Sequence, residues 1–114
     1  MTDPTAANAL FIDLSWRSEA HAEATLADHE TSVTLCAAVH EALIAFALSR
    51  VEGEGSVSPV SMTHDLTGQD AKAGKVVDIK LRTDRKTRTL LFLSALASSD
   101  GVPLVKTTAV FRRI

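Results

Sequence analysis

A chain of 114 residues, 46% hydrophobic and 23% charged, has apolar material for one core and too little length for two, so a single domain over 1–114 is expected. Its formal net charge of -2 offers no basic surface to a polyanion and its 4% aromatic content few stacking platforms, which argues against nucleic acid as a partner. The lone cysteine, Cys36, leaves neither a disulfide framework nor a thiolate zinc site and fits a reducing, cytoplasmic setting.

Met1 to Asn8 are small and polar, the composition of a flexible terminus. The opening MTDPTAANALFIDL has acids and no basic residue ahead of its apolar patch, the wrong order for a secretory signal. From Leu14 to Leu26 the period becomes two. Leu14, Trp16, Ala20, Ala22 and Ala24 share one side while Ser15, Arg17, Glu19, His21 and Glu23 share the other, which predicts one half-buried strand. Asp28, His29 and Glu30 make a polar connection onward.

Thr31 to Arg50 is the most apolar stretch, and its length predicts a helix capped by Thr31 or Ser32. Leu35, Val39, Leu43 and Phe46 fall on one face, with Cys36, Ile44 and Leu48 beside them. At roughly 24 Å, with His40 and Glu41 at its middle, the helix is a poor bilayer span and reads as a core element, so no membrane is expected. A helix apolar nearly all round must be buried nearly all round.

VEGEGSVSP, residues 51–59, has the glycines and proline of a loop. Val60, Met62, His64 and Leu66 then alternate with Ser61, Thr63 and Asp65 as a strand, and Gly68 and Gly74 bracket a second loop. A strand opening at Lys75 turns Val77, Ile79 and Leu81 inward, with a turn expected at Asp84 to Lys86. Thr87 to Ser98 is apolar on both faces, the pattern of a strand in the middle of a sheet. After a turn at Ser99, Asp100 and Gly101, the strand Pro103 to Arg113 places Val105, Ala109 and Phe111 on one side. Such short turns join antiparallel neighbours, which gives an α+β architecture of one strand, one long helix and about four more strands, five in all. One sheet satisfies the helix on one face only, so its remaining apolar surface predicts a homodimer, or a tetramer built from dimers.

These elements resemble the hotdog fold, in which a curved antiparallel sheet wraps a long central helix and dimers are the working unit. The C-terminal half is similar to acyl-CoA thioesterases of the phenylacetate-degradation and 4-hydroxybenzoyl-CoA type. It carries their Ala-Gly before a strand (Ala73-Gly74), basic turn (Arg85-Lys86), long apolar strand (Leu90 to Leu96), Asp-Gly turn (Asp100-Gly101) and closing strand (Thr108 to Arg112). In that family a His-Gly-Gly opens the helix, its backbone N–H polarises the thioester carbonyl, and a carboxylate farther along attacks or activates water. The motif falls here near Ser32, Val33 and Thr34, without its glycines, and the carboxylate position falls at His40 or Glu41. The resemblance therefore implies an acyl-CoA or acyl-carrier thioester hydrolase, coenzyme A entering only as part of the substrate. Glu41 would be the nucleophile or general base, His40 its helper, and the basic turn Arg85, Lys86 and Arg88 would hold the coenzyme A phosphates.

A second hotdog branch, the 3-hydroxyacyl-thioester dehydratases, resembles His40-Glu41-Ala42-Leu43-Ile44-Ala45-Phe46-Ala47 and implies Glu41 working with His29. The missing His-Gly-Gly leaves a third class, a non-catalytic acyl-binding protein. The bland readings are a salt-bridged Glu41, a structural His40, a core Cys36 and a solvated hairpin tip. His64 and Asp65 face opposite ways on their strand, so at most one looks inward. The spacing of His21, His29, His40 and His64 matches no metal site, and no metal is expected.

Overall fold

In the computed structural model the described residues are 14–25, 32–51, 55–69 and 76–114. Met1 to Asn8, His29, Thr31, the Ala73-Gly74 pair and Lys75 lie outside them. The elements are β1 (Leu14–Ser18), β2 (His21–Thr25), α1 (Ser32–Ser49), β3 (Val57–Leu66), β4 (Val76–Lys86), β5 (Leu90–Ser99) and β6 (Val102–Arg113). All six strands form one sheet in the order β1-β2-β4-β5-β6-β3, every pair antiparallel. The helix packs across one face.

That face is the core. Ala22 and Ala24 of β2 lie opposite Ile79 and Val77 of β4. On the same face Ile79 and Leu81 lie opposite Ala97 and Ala95 of β5, and these lie opposite Val105 and Thr107 of β6. From the helix, Leu35, Ala38, Val39, Ala42, Leu43 and Phe46 close onto it, all buried. A strand shows alternate side chains to each face, so the period of two assigns every one of these residues to the layer beneath the helix. β5, expected in the middle because both its faces are apolar, lies between β4 and β6.

Three expectations need correction. The predicted first strand is two, because the chain reverses at Glu19 and Ala20, and so the sheet has six strands rather than five. Trp16 pairs with Ala22 and Leu14 with Ala24. The turn closes on Ser18 and His21, of opposite parity, but the bulge at Arg17 brings Trp16 opposite Ala22, so the alternation runs through the reversal unbroken and does not reveal it. The Ala20 carbonyl accepts the Leu81 N–H at 2.9 Å and ties this turn to β4.

The turn expected at Asp84 to Lys86 comes later, at 87–89, with Arg85 and Lys86 still paired to Phe92 and Leu91. Asp84 is the extra residue of a bulge and accepts hydrogen bonds from Arg82 Nε at 2.7 Å and Ser94 Oγ at 3.1 Å, which hold the chain out of register there. Thr87 then closes the hairpin, its N–H donating to the Leu90 carbonyl at 2.8 Å and its hydroxyl accepting the Leu90 N–H at 3.0 Å. Finally, β3 starts at Val57, inside the expected loop, and Val60 is bulged between Pro59 and Ser61. Pro59 is tolerated because β3 is an edge strand, bonded among the described residues to β6 alone.

The Asp100-Gly101 turn is as expected. Asp100 has φ 51° and Gly101 φ 78°, two positive values between the paired Ser99 and Val102, as a two-residue hairpin with the sheet's own twist requires.

Candidate active site

The helix is buried on its sheet face and exposed along a stripe of Val33, Glu41, Ala45 and Leu48, Val33 being 78% and Leu48 47% exposed. Neighbouring helical residues point about 100° apart, which separates the two polar residues at its middle. Glu41 belongs to the exposed stripe. His40 lies on the half-buried flank with Cys36, one turn earlier.

His40 has a neighbour that the helix alone does not reveal. His64 of β3 lies opposite Thr107 of β6, and its Nδ1 is 2.7 Å from the Thr107 hydroxyl. The row it shares with Thr107 and Ala95 is the sheet face beneath the helix. Burial, and then the repulsion of His40, hold the His64 imidazolium below its usual range near 6.5. His64 and Thr107 thus pair on the inner face at the open edge strand, near enough to His40 of the helix for its charge to oppose protonation of the His64 ring. Thr107 is the member that sequence reasoning missed. Its parity with Val105 and Ala109 was the available signal, since a fully buried threonine needs a partner for its hydroxyl.

The other expected residues lie apart from this cluster. Glu41 is one turn before Ala45, and Ala45, Phe46 and Ser49 form one wall of an apolar groove of about 240 Å³ whose other wall is Trp16, Ser18 and Glu19. Burial raises the Cys36 thiol above its ordinary range, which leaves it protonated and unsuited to attack. Arg85, Lys86 and Arg88 are exposed at the β4–β5 hairpin tip, with the Arg85 guanidinium 5.8 Å over the Phe92 ring. On the outer face of the sheet, Lys80 and Lys106 flank Leu96 in register, in a hollow of about 500 Å³ that Arg82 also lines.

No protein-family model matches the chain, and no curated sequence does. Solved structures match closely in shape. A phenylacetic acid degradation-related protein of Ralstonia eutropha JMP134, itself a candidate thioesterase, superposes with a TM-score of 0.76 at 19% identity over 98% of this chain and 92% of its own. A hypothetical thioesterase of Streptococcus pneumoniae TIGR4, solved with coenzyme A, gives 0.73 at 11% identity over 90% and 87%. A Streptococcus mutans UA159 protein bound to acetyl-CoA gives 0.76 at 11% over 90% and 88%. At these identities what is shared is the fold: among the described residues, one helix against a six-stranded antiparallel sheet, the hotdog fold that the sequence resembles. Among the described residues no helix is long and apolar enough to cross a membrane.

Proposed function

We propose that the protein hydrolyses an acyl thioester of coenzyme A or of an acyl carrier, as a homodimer. The observation that carries this reading is polar chemistry at the midpoint of the helix, in a fold shared with proteins that hold coenzyme A and acetyl-CoA. Two residues compete for the base. Glu41 is the only acid of the helix and lies on its exposed stripe, one turn before Ala45. His40 lies on the helix flank near enough to His64 of the edge strand for its charge to oppose protonation of that ring. The phosphates of coenzyme A would lie against Arg85, Lys86 and Arg88, whose heads reach solvent.

Two features support the dimer. β3 leaves one side of its ladder unpaired among the described residues, and the helix keeps Val33, Ala45 and Leu48 in water.

Release of free thiol from a panel of acyl-CoA esters tests the reading. Glu41→Gln and His40→Gln preserve size and remove proton-accepting power, and loss of the true base should cost roughly a hundredfold or more in kcat. A parent that releases no thiol, but hydrates a crotonyl thioester, would move the assignment to the dehydratase class. Silence in both assays would leave an acyl-binding protein.

A further inference from the structure

The helix start lacks the glycines that would present an N–H to the thioester carbonyl, and Ser32 and Val33 stand there instead. The His64–Thr107 pair has the chemistry to supply that donor. Thr107 is fully buried, and among the described residues its hydroxyl has one partner, Nδ1 of His64. A protonated Nδ1 would donate to the hydroxyl oxygen and leave the hydroxyl proton buried with no acceptor, a costly arrangement. An unprotonated Nδ1 accepts that proton and satisfies both groups. The neutral ring then carries its hydrogen on Nε2, which has no partner among the described residues.

We infer that His64, fixed by Thr107 as its Nε2–H tautomer, donates a hydrogen bond to the thioester carbonyl oxygen and holds the oxyanion formed there. The role rests on the hydrolase reading and deepens it. In the reaction, water attacks the carbonyl carbon and gives a proton to the mid-helix base, for which His40 lies on the same flank. The carbonyl π pair moves onto oxygen, where Nε2–H meets the charge. Collapse restores the C=O and breaks the C–S bond. Sulfur leaves with the bonding pair and takes the proton back from the base, giving a thiol and a carboxylic acid that ionises into solvent. His64 stays neutral throughout. The ring suits this part because burial and His40 oppose its protonation, and a neutral imidazole can polarise a carbonyl without exchanging its proton.

Thr107 is a positioning residue, since it acts on the substrate only through the ring. Among the described residues, the groups facing His64 are Thr107 from β6, His40 from the helix, and Met62 and Leu66 along β3 itself. Asp65 points to the opposite face.

The test has two arms. On the parent, long-range ¹⁵N–¹H spectra of the imidazole read the tautomer directly, and Nε2–H is expected. With acetyl-CoA, hexanoyl-CoA and benzoyl-CoA as probes, His64→Ala should lower kcat for thiol release on the order of a hundredfold with little change in KM. His64→Gln, which keeps an N–H near the same position, should recover much of the rate. Thr107→Val should shift the ring toward the other tautomer and lower kcat, Thr107→Ser should restore both, and Asp65→Asn should match the parent. An Nδ1–H tautomer in the parent, or a folded His64→Ala that works at the parental rate, overturns the donor role and leaves the hydrolase reading standing. A parent that releases no thiol from any probe overturns both.

Discussion

His64 binds its proton less readily in the folded chain than an unfolded histidine does at its ordinary value near 6.5. Between the two values the unfolded chain holds more protons, so acid favours unfolding and stability climbs as pH rises through that window. The melting temperature should therefore be lower at pH 5.5 than at pH 7.5, and the difference should shrink in His64→Gln. An equal slope in the two proteins would place the acid sensitivity elsewhere. The same residue marks a limit of sequence reading. Alternation put His64 and Asp65 on opposite faces of their strand and His40 on the helix, but the partner strand that sets the register, β6, lies 43 positions away at Thr107. Periodicity assigns faces, whereas only the paired sheet assigns neighbours.

Among the elements, the helix and the strands from Val76 to Arg113 were legible because they bury continuous faces. Val77, Ile79 and Leu81 are buried as their alternation requires, and so are Val105, Ala109 and Phe111. What stayed hidden were the departures from regular pairing. The reversal after Ser18 keeps the alternation, Val60 is bulged inside an otherwise regular pattern, and the bulge at Asp84 is held by a hydrogen bond from Ser94 of the next strand. Burial at the helix centre sets a further expectation: Leu43→Ala, at a fully buried position, should cost about 2–5 kcal/mol in denaturant unfolding. Gly101→Ala, which forces a side chain into φ 78°, should cost about 1 kcal/mol although the space around it is open. A neutral Gly101→Ala would mean that the turn relaxes into another type.

For the whole molecule, light scattering at micromolar concentration should report at least twice the chain mass of 12.2 kDa. A monomer would refute the homodimer. The outer face argues for joining edges and helices rather than stacking sheets, because Lys80, Arg82 and Lys106 around Leu96 would meet their own copies across a two-fold axis. Coenzyme A binding that weakens with salt, and weakens again when Arg85 and Lys86 are both replaced by alanine, would place its phosphates at the hairpin tip. Binding indifferent to both changes would leave that tip an ordinary solvated hairpin.

The strand order β1-β2-β4-β5-β6-β3 also dictates a sequence of events in time. β4, β5 and β6 follow one another through short turns, so their ladders close small loops and can form early. Docking of the β1–β2 hairpin on β4 must instead close a long loop that contains the helix, since His21 meets Asp78 across 57 positions of chain. In a kinetic experiment, destabilising substitutions such as Leu93→Ala should slow refolding, while Ala24→Gly on β2 should mainly speed unfolding. The wall of the groove that contains Trp16 is then expected to be assembled late and to open early.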